Sequence, residues 1–262
     1  MNRYSDYNNF AWIYNKHWGY FYSGNSFAIL EKLMLQYLPP NAYILDLCCG
    51  TGKLAQKLTE QGYRVTGIDS SEEMIRFAKE NAPNAEFIVE DARNFRLPSV
   101  YNGVIAAYDS LNHIMNLEDL IGTFQNVYEC LVEGGLFLFD LNMEDAYNTF
   151  WKGSRGTVED DYAYIARSSY DPDEKIGKLD FTIFRLLEGK WERSDLTFLQ
   201  KCYSEREIIS ALESVGFAEI NVYDFQRGLD GLYKQIGRSF FVCNKPLSDN
   251  PIKFLHGIIQ DD

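Results

Sequence analysis

The sequence predicts an α/β fold: an open, mostly parallel sheet between helices, joined to an antiparallel β segment. Three observations lead there. Short apolar runs alternate with amphipathic helical stretches between residues 43 and 139. Those runs are apolar at consecutive positions, as strands buried on both faces are. After residue 150 the pattern switches to period-two alternation, which marks half-exposed antiparallel strands.

Each element follows from a local pattern. Phe27, Leu30, Met34 and Leu38 recur at helical steps, which predicts a helix over 26–38 ended by Pro39 and Pro40. The run YILDLC at 43–48 reads as a buried strand, and 52–61 as a helix. A second strand is expected at 64–68, closed by Asp69, then a helix to about residue 80 capped by Ser70 or Ser71. Strands at 85–89, 103–107 and 135–139 follow, with a helix at 117–131 before the last of them. Right-handed crossovers between such strands put a ligand site at their carboxyl ends.

Segments 157–169, 177–187 and 190–200 alternate, with turn chemistry at 171–174 and 188–190, and predict a hairpin or three-stranded antiparallel sheet. Tyr162, Tyr164 and Ala166 are expected to share one face, and Leu179, Phe181, Ile183 and Arg185 another. Ser204 with Glu207 forms a capping-box pattern for a helix over 204–215, and Gly216 closes it. Two more strands are expected at 217–225 and 237–243. This divides the chain into a core of 1–151 and 201–246 that includes an aromatic N-terminal segment, an insertion at 152–200, and a tail at 247–262.

Composition narrows the function classes. The net charge is -13, from 38 acidic and 25 basic residues. Such a surface disfavours nucleic acid and anionic membranes, which attract Lys and Arg. No bilayer-spanning run or signal-like leader is read, and five cysteines at irregular spacing fit neither a disulfide framework nor a zinc site. A cytoplasmic protein with reduced thiols and no metal is expected. Aromatics are abundant, with 18 Tyr, 18 Phe and 4 Trp, and they crowd the first 22 residues.

The run ILDLCCGTGKLA at 44–55 is a strand, a glycine turn and a helix start. Gly50 and Gly52 permit tight turning and close approach of a ligand to the backbone. The dinucleotide pattern G-x-G-x-x-G fails here, with Cys48 at its first glycine position and no third glycine; the Walker pattern fails as well. A plain strand–helix turn is the bland alternative. Asp46 lies inside the apolar strand, where a charge needs a partner such as a ligand ammonium or backbone N–H groups. Asp69, 17 residues past Gly52, can accept ribose hydroxyls or cap a helix.

With these residues in hand, the sequence resembles the class I S-adenosylmethionine-dependent methyltransferases. The resemblance runs through ILDLCCGTGKLA, VTGIDSSEEMIRFAKE (65–80), FIVEDARNF (87–95), VIAAYDSLNHI (104–114) and GGLFLFDLN (134–142). It implies a Rossmann-like sheet of seven strands with the last antiparallel, and S-adenosyl-L-methionine as cofactor. By position, Asp46, Gly50 and Gly52 would hold the methionine part, with Cys48 near the cofactor. Asp69 would take the ribose, Ser70 or Met74 would border the adenine, Asp91 would accept from the adenine amino group beside Ala92, and Tyr108 would line the sulfonium end. YDSLNHI, the FAWIYNKHW segment and the antiparallel insertion look like the branch (methyltransferase-domain 25/11-like) that methylates free small molecules, including amines and sugar amines, with the insertion as a lid.

Methyl transfer needs alignment of a nucleophile, exclusion of water and, for some acceptors, a base. His113, after the fourth strand, is the candidate base, or else a structural histidine. Tyr14 is a candidate to close over the site. Asn112 would orient substrate or cap a turn; His17 and Tyr20 are weaker candidates. The partner expected is a small-molecule methyl acceptor, with a homodimer left open. The alternatives are a protein or tRNA methyltransferase, disfavoured for tRNA by charge and by YDSL standing where an N-P-P-Y motif would be, and a cofactor-binding, non-catalytic partner protein.

Overall fold

Continuous apolar runs form the centre of the molecule because they can be buried on both faces. The computed structural model describes residues 7–18, 25–224 and 236–247. Tyr20, residue 225 of an expected strand and nearly all of the tail lie outside the described residues.

In chain order the strands of the first half are β1 (Tyr43–Leu47), β2 (Arg64–Asp69), β3 (Glu86–Val89), β4 (Tyr101–Ala106) and β5 (Leu131–Asn142). The insertion supplies β6 (Gly153–Val158), β7 (Tyr162–Asp171), β8 (Ile176–Leu187) and β9 (Lys190–Lys201), and the chain returns with β10 (Ala218–Asp224) and β11 (Arg238–Asn244). Seven of them form one sheet in the order β10-β11-β5-β4-β1-β2-β3. β1 pairs in parallel with β2 and β4, and β4 with β5, while β11 is antiparallel to β5 and β10. The expected seven-stranded sheet with an antiparallel last strand is therefore present.

The helices are α1 (Ala11–His17), α2 (Asn25–Leu33), α3 (Lys53–Glu60), α4 (Glu72–Asn81), α5 (Leu117–Cys130), α6 (Glu144–Phe150) and α7 (Glu205–Val215). Successive strand residues point to opposite faces of the sheet. Leu45, Phe137 and Phe139 thus enter a core with Phe124 of α5 and Leu212 of α7, while Ile44 and Leu138 join Leu30 of α2 and Leu58 of α3 on the other face. Each such fully buried side chain contributes about 1.5–3 kcal/mol of transfer free energy. Ser71 caps α4 by accepting from the Met74 N–H, and Ser204 and Glu207 form the expected capping box on α7.

Four differences from the sequence reading have physical causes. The helix expected over 26–38 stops at Leu33, because Met34 leaves helical geometry and a single 3-10 turn, Leu35–Tyr37, precedes the prolines. The insertion has four strands. Its first, GSRGTV, is mostly exposed and has no apolar alternation to reveal it. The short helices α1 and α6 lack the length that periodicity needs. Finally, the two alternating faces of β7 and β8 are one face, since Tyr164 pairs with Ile183 and Ala166 with Phe181.

That face, with Phe198 of β9, packs on Phe10, Ala11 and Ile13 of the N-terminal segment and on Met74 of α4. The N-terminal aromatics are thus a packing layer between the insertion and helix α4. Among the described residues no helix is long and apolar enough to cross a membrane.

Candidate functional site

The carboxyl ends of β1, β2 and β4 open into a cavity of about 520 Å³ roofed by the insertion and by α1. Its wall includes Tyr14, Cys48, Gly50, Asp69, Ser70, Met74, Asp91, Ala92, Tyr108 and His113, ten of the fifteen residues singled out from sequence. Asp46 lines a small annex of about 30 Å³ that shares Tyr14, Trp18, Cys48 and Tyr108 with the main cavity.

The glycine loop has two functions, one per glycine. Gly50 (φ 53°) faces the Tyr14 ring, which would lie 3.4 Å from an added Cβ. Gly52 (φ 72°) begins α3 and meets Ala78 of α4, whose Cα would be 2.9 Å from an added Cβ. Gly52 is outside the cavity wall and serves close helix packing. Cys48 also adopts a left-handed backbone (φ 60°) and presents itself to the cavity.

Asp69 ends β2 with both oxygens occupied: Oδ2 accepts from Gly50 N–H and Oδ1 from Ser71 N–H, each at 2.9 Å. Burial pushes its carboxyl up to about 6, against the lowering effect of backbone N–H groups from Ser71, Gly50 and Ser70. Each oxygen retains a lone pair for a ligand hydroxyl. Asp46 is buried in β1, and its Oδ2 has no hydrogen-bond partner. Burial, then the charge of Asp69, push its carboxyl up to about 8, with an Ala55 N–H opposing. Thr51 Oγ1, in the same annex, is also buried without a partner. Two orphaned acceptors beside the cavity suit a donor-rich ligand such as an ammonium.

Asp91 follows β3 and is gripped by Arg93, whose Nε lies 2.9 Å from Oδ1 and whose Nη2 lies 2.5 Å from Oδ2. That guanidinium holds the Asp91 carboxyl below its ordinary range. Asp91 is therefore an ionised acceptor, and Ile68, Met74 and Ala92 beside it supply an apolar wall.

At the other end of the cavity stands a network that sequence reasoning missed. Asp140, buried in β5, accepts from the backbone N–H groups of Tyr108 and Asp109 at 2.6 and 2.9 Å. Both residues are left-handed (φ 68° and 50°), a strained pair that the carboxylate holds in place. Arg238 of β11 bridges Asp140 and Asp109. Burial still raises the Asp140 carboxyl, with Arg238 the main opposing influence. The available signal was Asp140 inside the apolar run LFLFDLN, the same anomaly that exposed Asp46.

Gln200 of β9 extends the network. Its Oε1 accepts from Tyr147 Oη at 3.0 Å and Asn142 Nδ2 at 3.2 Å, so its amide nitrogen faces Asp109 (2.5 Å) and His113 Nε2 (3.2 Å). Tyr7 Oη lies 2.9 Å from the same imidazole nitrogen. An N–H pointing at Nε2 makes that nitrogen an acceptor, hence a neutral imidazole. Burial lowers the His113 pKa, partly opposed by Asp109.

Two other sequence candidates make contacts that tie elements together. Asn112 is fully buried and ties the 3-10 turn Ser110–His113 to Asn142 on β5 and to the Lys201 carbonyl on β9. His17 bonds Tyr162 Oη at 2.8 Å, outside the cavity wall, and pins α1 to the insertion.

Residues 44–135 match the family model described as a methyltransferase domain. YqeM of Bacillus subtilis (strain 168), which carries a provisional methyltransferase name, is 32% identical over 185 residues, covering 69% of this chain and 75% of YqeM. The dTDP-3-amino-3,4,6-trideoxy-alpha-D-glucopyranose N,N-dimethyltransferase of Streptomyces venezuelae is 28% identical over 111 residues, 42% of this chain and 48% of that protein. Among solved structures, an S-adenosylmethionine-dependent methyltransferase from Clostridium acetobutylicum ATCC 824 superimposes with a TM-score of 0.76 at 23% identity, covering 92% and 99% of the two chains. That last likeness is one of fold.

Proposed function

The chain belongs to the class I S-adenosylmethionine-dependent methyltransferases, in the branch that shares this methyltransferase domain, and on that premise we propose that it methylates the nitrogen of a small amine or amino sugar. The observation that carries the reading is the imidazole of His113, whose Nε2 meets the Gln200 amide nitrogen at 3.2 Å and Tyr7 Oη at 2.9 Å in a roofed cavity sized for a small molecule. The amino-sugar dimethyltransferase of Streptomyces venezuelae supports the choice of nitrogen.

The cofactor supplies an electrophilic methyl on a sulfonium. The residues fit it: Asp46 and Thr51 offer orphaned acceptors to its ammonium, and Asp69 offers lone pairs to two ribose hydroxyls. Ile68, Met74 and Ala92 form an apolar adenine wall, with Ser70 at its edge and Asp91 as an acceptor for the amino group. Tyr14 covers Gly50, and Phe181 and Phe198 exclude water from above. Aromatic walls also suit a cationic acceptor through cation–π attraction. An alkylated amine nitrogen must shed a proton, and His113 Nε2, directly or through the Tyr7 hydroxyl, is positioned to take it. Cytoplasmic residence is part of the same proposal, supported by five free cysteines.

A calorimetric titration and a transfer screen test the proposal. S-adenosylmethionine and S-adenosylhomocysteine should bind and NAD should not. Radiolabelled methyl should pass to amines and amino sugars in preference to hydroxyl, thiol and carboxylate metabolites. Transfer confined to proteins or tRNA would refute the small-molecule reading.

A further inference from the structure

Three arginines line the cavity, and two are neutralised where they stand. Arg93 pairs with Asp91 and Asp119, and Arg238 with Asp109 and Asp140. The third, Arg155 of β6, has no carboxylate within ion-pair distance among the described residues. Its hydrogen-bond partner is the hydroxyl of Ser168, 3.3 Å from Nη1.

The register explains where Arg155 points. It pairs directly with Ala166 of β7, and directly opposed residues of an antiparallel pair share a face. Ala166 is fully buried on the roof face, so Arg155 is turned toward the cavity beside Ser168, both lining it. An inward charge on an edge strand can blunt strand-to-strand aggregation. That role asks for no hydroxyl beside the guanidinium and no cavity in front of it. In a chain of net charge -13, an uncompensated guanidinium at a ligand cavity is out of keeping with its surroundings. Its planar fork matches a carboxylate or phosphate, and the Ser168 hydroxyl adds a further donor. Phe150 and Trp151 line the same cavity and add apolar surface to it.

We propose that Arg155 and Ser168 form an anion subsite for the methyl acceptor, which therefore carries a carboxylate or phosphate group besides its nucleophile. This rests on the small-molecule reading of the same cavity and deepens it. Arg155 acts in specificity and takes no part in the chemistry.

The test titrates acetate, inorganic phosphate and thymidine diphosphate, each separately, into the full chain saturated with S-adenosylhomocysteine. At least one should bind, the best of the three telling a carboxylate from a free phosphate or a nucleotide-linked acceptor. Arg155→Gln should weaken that binding tenfold or more, Arg155→Lys and Ser168→Ala by less, with S-adenosylhomocysteine affinity and thermal midpoint unchanged. If no anion binds, or if Arg155→Gln binds it as well as the parent, the subsite does not exist. Should Arg155→Gln lower the midpoint, Ser168→Ala and Arg155→Lys decide the matter by the same comparison. Failure of S-adenosylhomocysteine itself to bind would instead remove the functional reading beneath it.

Discussion

The Tyr7 hydroxyl lies 2.9 Å from Nε2 of His113, joining the N-terminal segment to the turn after β4. The Tyr7 ring stacks on Phe198 at 4.5 Å, so the insertion fixes its position as well. Burial raises the Tyr7 phenol well above its ordinary range, with Asp109 and Asp69 adding to the effect, and lowers the His113 imidazole. At neutral pH the pair is a neutral phenol beside a neutral imidazole, poised to accept one proton.

Loss of that acceptor should be visible in turnover. His113→Ala is expected to lower kcat by on the order of 10²-fold, the lower end for a positioned base, with cofactor affinity unchanged. Tyr7→Phe should cost less, because Gln200 still orients the ring. The parent's kcat should fall with acidity only below the ordinary histidine range, since the lowered pKa keeps the ring neutral down to there. Unchanged turnover in His113→Ala, measured by single-turnover methyl transfer, would remove it from the mechanism.

Asp46 should register cofactor binding as a proton release. With its carboxyl at about 8 it is mostly protonated at pH 7, and a ligand ammonium favours the ionised form. Calorimetry in two buffers of different ionisation enthalpy should show release at pH 7, shrinking by pH 9 and absent in Asp46→Asn. The unliganded protein carries the linked stability effect. Asp46 and Asp69 are raised above their unfolded values, so their contribution is complete below the ordinary carboxylate range. It is lost as pH rises through about 6 for Asp69 and about 8 for Asp46. Between pH 7 and 9 the denaturation midpoint should fall in the parent and flatten in Asp46→Asn.

The two loop glycines should separate stability from binding. Gly52→Ala combines a left-handed backbone with a 2.9 Å approach to Ala78, and an order-of-magnitude cost is about 2–4 kcal/mol by urea denaturation. Gly50→Ala meets only the Tyr14 ring at 3.4 Å, so beyond the backbone strain its main effect should be weaker cofactor binding. Equal stability losses with equal affinity losses would contradict this division.

The centre of the main sheet was legible because β1, β2, β4, β5 and β11 are buried over most of their length, which leaves continuous apolar runs in the sequence. Asp46 and Asp69 were legible because each is a carboxylate in or at the end of such a run, whereas Asp91 was named only through the resemblance, since β3 before it is mostly exposed. Gly52, expected at the ligand, packs against Ala78 of α4, and a glycine that admits a ligand and one that admits a helix look alike in sequence. The exposed edge strand β6 leaves no apolar pattern, so neither it nor Arg155 could be placed. Gln200 and Arg238 were hidden for another reason. Their meaning depends on Asp109, 91 and 129 residues away, and no local pattern records a pairing at that distance.

That distant pairing makes a final prediction. Arg238 and Asp140 are almost wholly buried, and Asp109 nearly so. Removing one partner of a buried ion pair strands the other, at a cost of about 3–5 kcal/mol. Arg238→Met should therefore destabilise the fold by that order in urea denaturation. Asp140→Asn added to Arg238→Met should recover part of the loss, since one of the two stranded charges is gone. Turnover should not recover with it. Asp140 also holds the left-handed backbone of Tyr108 and Asp109, and Asp109 holds Gln200 against His113. The double variant should thus be a folded protein with a misplaced imidazole, its kcat reduced while S-adenosylhomocysteine still binds. Full recovery of both stability and kcat would show that the network only holds the fold together.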